Sequence, residues 1–120
     1  MALKQRLHRL TASHAELDAE RRREFAASIA GTIPIGEARP RVEITVAGEV
    51  TSVRIVPKRD GAAWLEATVT DGSASLAAMW TGRRRIAGIK PGAKLKLHGR
   101  GSASGPGGRL LIYNPEYELL

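Results

Sequence analysis

A mainly β fold is what this sequence predicts: a five-stranded sheet closed into a barrel, with a short helical connection between strands 3 and 4. One or two amphipathic helices precede it. Three observations carry the prediction. From Val42 onward apolar and polar residues alternate with a period of two. The dipeptides Asp60-Gly61, Asp71-Gly72 and Pro91-Gly92 cut that alternation into short lengths. Before Gly31, by contrast, Ala, Leu, Glu and Arg dominate, with no Pro and no Gly.

Residues 1–31 are the helical segment. Leu3, Leu7, Leu10, His14 and Leu17 follow spacings of 4, 3, 4 and 3, an a/d-like stripe of about two heptads. Thr11 and Ser13 interrupt it, and Ser13-x-x-Glu16 forms a capping box at which a second helix would restart. Phe25 and Ile29 make a separate i, i+4 pair, and Gly31 is a natural stop. Such a segment docks on the main domain, pairs with a second copy as a short coil, or serves as a basic arm. Arg21–Arg23 sit among Glu16, Asp18, Glu20 and Glu24, which reads as a solvated helix face. Residues 32–41 read as an extended linker, with Pro34 and Pro40 and no helical period.

The domain proper spans 42–120. "VEITVAGEVTSVRIV" is a long first strand with Gly48 in its middle, where a bulge or bend is expected. The loop "PKRDG" leads to "AAWLEATVTDG", whose Leu65, Ala67 and Val69 share one face and Trp64, Glu66 and Thr68 the other. "SASLAAMW" is the third strand, "AKLKLHGRGSAS" the fourth and "RLLIYNPEYEL" the fifth. Between the third and fourth lies "GRRRIAGIKPG", where Ile86 and Ile89 are spaced to plug the barrel end. A long, bendable first strand can serve both sides of a closed sheet and so remove its edges, the design of an OB-fold.

The totals narrow the function. Nineteen Lys and Arg stand against 12 Asp and Glu, a formal charge of +7, so polyanions are the expected partners, nucleic acid first. No cysteine means no disulfide framework and no thiolate zinc site. The charged N-terminus does not read as a signal peptide and no run is long enough to cross a membrane, which fits a cytoplasmic protein. His8, His14 and His98 are scattered, carboxylates are not paired, and no serine has a nucleophile-elbow setting. The expectation is therefore a protein that is not an enzyme and carries no metal or cofactor.

Residues 42–120 resemble OB-fold domains of the tRNA-anticodon kind and the wedge domain of the RecG helicase. The resemblance rests on "VAGEVTSV", "ATVTDGSASLAAMW", "IKPGAKLKLHGRG" and "RLLIYNPEYEL". The chain is also similar to small stand-alone OB-fold proteins of actinobacteria that share the "W-x-G-RRRIAGI-x-PG" segment. No helicase motor is present, so only the wedge-like module carries over. The resemblance implies nucleic-acid binding.

Ligands of OB-folds usually lie across strands 2 and 3, between the 1–2 and 4–5 loops. Here those loops are "PKRDG" and "SASGPGG". Lys58 and Arg59 either contact phosphate or merely make a hairpin tip polar. Trp64 faces outward, either to stack a base or to be covered by the N-terminal helices. Trp80 reads as core, and Tyr113 and Tyr117 as anchors of the tail. From 83 to 100 there are seven basic residues and no acidic one: Arg83, Arg84, Arg85, Lys90, Lys94, Lys96 and Arg100. They form either a phosphate track or solvated faces. The arginine triplet leaves the barrel end and so reads as a flanking patch. The expected function is binding of single-stranded DNA or RNA with little sequence preference. The alternative is a protein-interaction module that dimerises through its N-terminal helices.

Overall fold

The structure is a computed structural model that describes residues 2–120, with side chains from His14 onward and excepting Pro106. A single helix, α1 (Ala2–Ser28), precedes six strands. These are β1 (Glu43–Pro57), β2 (Ala63–Thr70), β3 (Ser75–Trp80), β4 (Lys94–Ser102), β5 (Leu111–Tyr113) and β6 (Glu116–Leu119). Five of them close into a ring in the order β1-β2-β3-β5-β4, with β4 pairing back to β1. All ring contacts are antiparallel except β3 with β5.

β1 closes the ring because it is shared. Glu43–Glu49 pair with β4, and Glu49–Pro57 pair with β2. Gly48 sits at the crossing, where a Cβ would stand 2.8 Å from the Thr70 carbonyl oxygen and 2.8 Å from Val69 Cγ1. The glycine thus allows two backbones to approach, where a bulge or bend was expected. The register irregularity itself falls three residues on, at Thr51 between Val50 and Ser52. Inside the ring the alternating positions meet: Val46, Val50, Val69, Leu76, Leu95, Leu97 and Ile112 are fully buried. Ile86 and Ile89, spaced in sequence to plug the barrel end, are buried in this core, and Trp80 packs within it.

The structure corrects four expectations. The connection between strands 3 and 4, residues 81–93, contains turns but no helix. Gly82 and Gly88 hold φ of 72° and 84°, so the left-handed backbone at both leaves only Arg83–Ala87 between them, too few residues to nucleate a helix. The N-terminal helix is continuous through Ser13 rather than restarted there. The fifth strand divides in two, because Asn114 adopts φ 50° ahead of the buried Pro115. Asn114 accepts the Thr81 amide at 3.0 Å through Oδ1, which fixes the break, and β6 then follows β5 along the same edge of β4, pairing with Leu95–His98. Finally, the segment read as an extended linker is docked. Ile35 is buried in the main core within a 3-10 turn, Ile35–Glu37, and its amide donates to Asp71 Oδ2 at 2.8 Å.

The leucine stripe at Leu3, Leu7 and Leu10, the Ser13 cap and His8 lie outside the described side chains. From His14 on, α1 meets the ring along one line. Arg22 pairs with Glu49 at 2.9 Å, Arg23 Nη1 donates to the Gly72 carbonyl at 3.1 Å, and Lys94 Nζ stands 4.9 Å from the Phe25 ring centre. No helix among the described residues is long and apolar enough to cross a membrane.

Candidate nucleic-acid interface

The outer face of β2 and its neighbours can be read off the registers. Val56 lies beside Trp64; Arg54 beside Glu66, Met79 and Tyr113; Ser52 beside Thr68, Ala77 and Leu111. Alternation turns Leu65, Ala67, Val69, Leu76 and Ala78 inward, so these partners are left facing out. Half of the surface is apolar: Ala77, Met79 and Leu111 form a second cluster, with Val56 and Trp64 packed against it. Trp64 and Tyr113 meet edge to face, ring centres 5.9 Å apart, and Tyr113 stays 48% exposed. Lys58 Nζ stands over the Trp64 ring at 4.0 Å, a cation–π contact. The described contacts of α1 lie at Glu49, Gly72 and Lys94, so Trp64 is not packed under that part of the helix.

The other half of the face is polar. Arg54 donates through Nε to Glu66 Oε2 at 2.8 Å, and its Nη2 stands 2.8 Å from the same oxygen. Glu66 is 4% exposed while the Arg54 side chain is 66% exposed. Arg109, from the β4–β5 loop, reaches Thr68 Oγ1 at 3.5 Å. With Ser52 and Thr68 these residues line a cavity of about 260 Å³.

Two loops bracket the face. The β1–β2 loop is held by Lys58 N to Ala62 O at 2.9 Å and Ala62 N to Asp60 Oδ1 at 3.0 Å, and it presents Arg59 to solvent. The β4–β5 loop closes through Gly105 N to Arg109 O at 2.9 Å. Arg83, Arg84 and Arg85 are exposed in the connection leaving β3. Trp80 pairs with Leu65, so this connection starts at the same end of the ring as Lys58 and Trp64.

Lys94, Lys96 and Arg100 are elsewhere. β4 is not a neighbour of β2 or β3 in the ring, and its outer side chains lie between two acidic rows. Glu43 pairs with Arg100 and Glu49 with Lys94 across β1; Glu118 pairs with Lys96 and Glu116 with His98 across β6. A stretch of one sign in sequence is therefore interleaved with the opposite sign in space. His98 is held by Thr45, Nδ1 to Oγ1 at 2.7 Å. Tyr117 packs edge to face on Trp80, ring centres 5.7 Å apart. No group of three or more His, Cys, Asp or Glu that could hold a metal ion occurs among the described residues.

The sequence places Lys58 in the loop bracketing the face and Trp64 on it, reads Tyr113 as an anchor of the tail, and does not single out Arg54 or Arg109. Tyr113 and Trp64 are far apart in the chain, and only the parallel β3–β5 pairing brings them together. The outward positions of the long first strand were the one available signal for Arg54.

A closed five-strand ring with these loops defines an OB-fold. The chain matches the tRNA anti-codon family model, described as an OB-fold nucleic acid binding domain, over residues 44–120, more than half its length, and it belongs to that family. Two solved structures share the architecture. RecG bound to a three-way DNA junction aligns with a TM-score of 0.59 at 17% identity, covering 72% of this chain and 12% of the RecG chain. The second OB-fold domain of replication protein A from Methanococcus maripaludis aligns with a TM-score of 0.52 at 16% identity, covering 74% of this chain and 94% of that domain. At such identities the likeness is one of fold. No curated protein matches the chain significantly.

Proposed function

We propose that this domain binds single-stranded DNA or RNA across the outer face of β2, β3 and β5, largely without regard to sequence. The observation that carries the reading is the Trp64–Tyr113 pair with Lys58 at its edge. A half-exposed aromatic platform beside a cation offers a base a ring and its phosphate a charge, which is the chemistry of single-strand recognition. Arg54, Arg59 and Arg109 add charge along the same surface, and Arg83, Arg84 and Arg85 extend it past the end of the ring. Most of the affinity comes from the backbone and falls steeply with salt. The reading involves no catalytic step, metal or cofactor and places the domain in the cytoplasm, away from membranes.

The test is a titration with labelled single-stranded DNA and RNA at two salt concentrations, following tryptophan fluorescence. Binding should quench Trp64, and each phosphate contact should add about −0.7 to the slope of log affinity against log salt. Absence of binding at low salt would overturn the reading. If that came with a stable dimer in solution, it would favour the protein-interaction alternative, for which Leu17, 50% exposed on α1, is the described candidate contact.

A further inference from the structure

We propose that Lys58 covers the stacking face of Trp64 in the free domain and gives way to a base on binding, so that one side chain couples stacking to a phosphate contact. The inference rests on the single-strand reading above and assigns one residue of that face a coupling role.

The feature in need of a reason is where the cation sits. A lysine at a hairpin tip ordinarily keeps its charged end in water, as the exposed Arg59 beside it does. Lys58 is instead half-buried, with Nζ 4.0 Å from the Trp64 ring centre. The acid in its own loop, Asp60, is turned onto the Ala62 amide at 3.0 Å. Among the described residues the partner of the Lys58 charge is the Trp64 ring and not a carboxylate.

A stacked base and an ammonium cannot share one face of one ring, so one of the two must yield. Trp64 is held. Its backbone pairs with Val56, its ring meets Tyr113 edge to face, and it packs against Ala77, Met79 and Leu111. The Lys58 backbone is held as well: its N donates to Ala62 O at 2.9 Å, and its carbonyl accepts the Gly61 amide at 3.1 Å. The lysine side chain is what can move, a flexible four-carbon stem ending in three rotatable donors. A base arriving on Trp64 displaces the ammonium, and the phosphate joined to that base gives the ammonium a new partner. Giving up an exposed cation–π contact lowers affinity by about threefold. The phosphate contact offsets that loss. A nucleic-acid strand supplies both base and phosphate, whereas a free base supplies only the ring. Lys58 thereby favours strands over isolated aromatic rings.

The experiment is a double-mutant cycle over Lys58→Ala and Trp64→Ala. It is read at low salt by anisotropy of a labelled dodecathymidylate, within the roughly 4–16 nucleotides an OB fold spans. In the wild-type background, freeing the ring partly offsets the lost phosphate contact. With Trp64 already absent there is no ring to free, so Lys58→Ala should weaken binding about threefold more than it does in the wild type. Equal losses in the two backgrounds would overturn the coupling. A smaller loss beside Trp64→Ala would overturn it too, by showing that Lys58 supports stacking and does not yield to it. Both outcomes leave the single-strand reading intact, whereas failure of the wild type to bind would overturn both. Acrylamide quenching of the free domain needs only Lys58→Ala and so stands even if Trp64→Ala folds poorly. Trp80 is buried, so the change reports Trp64. Removing the lysine should raise the quenching constant; an unchanged constant would overturn the cover.

Discussion

Replacing Asp71 by alanine should release the segment before β1 from the ring and cost about 3 kcal/mol. Asp71 is 2% exposed and accepts four hydrogen bonds: Ile35 N at 2.8 Å, Ser73 Oγ at 2.6 Å, Ser73 N at 2.9 Å and Ala74 N at 3.3 Å. Ser73 is exposed, so its donors find water when the carboxylate is gone. Ile35 is 4% exposed, and its amide would be left buried and unpaired, a loss of about 1–3 kcal/mol. Loosening the turn that orders Ser73 and Ala74 adds about 1 kcal/mol more. In a domain whose total stability is of order 5–15 kcal/mol, that is a large share. With a urea dependence of about 2 kcal/mol per M, the unfolding midpoint should fall by about 1.5 M. Urea melts followed by circular dichroism measure this, and hydrogen exchange at the Ile35 amide reports the local release. Asp71→Asn keeps one acceptor oxygen and should lose only about 1 kcal/mol. A loss under 1 kcal/mol for Asp71→Ala, or equal losses for the two variants, would refute the reasoning.

Trp64→Ala should weaken single-strand binding by about 1–3 kcal/mol, read by anisotropy with labelled oligonucleotide. Because Trp64 packs on the outer cluster and not in the main core, the thermal midpoint should move far less than the affinity does. The triple change of Arg83, Arg84 and Arg85 to alanine should lower affinity uniformly across sequences and flatten the salt slope by up to about 2. The same treatment of Lys94, Lys96 and Arg100 should cost less, since Glu43, Glu49 and Glu118 already face them; an equal or larger loss would place the nucleic acid on β4. Gly48→Ala should destabilise the domain by about 1–3 kcal/mol in chemical denaturation, because its Cβ meets the Thr70 backbone at 2.8 Å.

How far the sequence reached depends on whether a feature is local. Period-two alternation and Asp-Gly turns are written in adjacent residues, so the first four strands, the inward Trp80 and the plug of Ile86 and Ile89 were all legible. The break of the last strand was not, because it depends on Asn114 finding the Thr81 amide at the end of the neighbouring β3. The absent helix between strands 3 and 4 could have been read from Gly82 and Gly88, but a glycine in sequence does not announce its φ. Charge misled most. Residues 83–100 carry one sign along the chain, and only the pairing of β4 with β1 and β6 shows that half of them are set among glutamates. On the candidate face, Lys58 and Trp64 were each named from the sequence, one in the loop and one on the strand. Tyr113, Arg54 and Arg109 needed the closed ring to join them.

Sharing β1 between two partners also sets the order in which the chain can fold. The β1–β2–β3 meander joins neighbours through short turns and can form early. The first half of β1 must wait for a strand far along the chain, Glu43 pairing with Arg100 and Ile44 with Gly99. Loops that long close slowly, and domains dominated by such pairings fold in milliseconds to seconds rather than microseconds. Until residues 94–113 take their places, the early half of β1 and the outer side of β3 remain unpaired edges, able to join any other extended chain. The dangerous interval for this domain during synthesis is therefore the time needed to deliver β4 and β5.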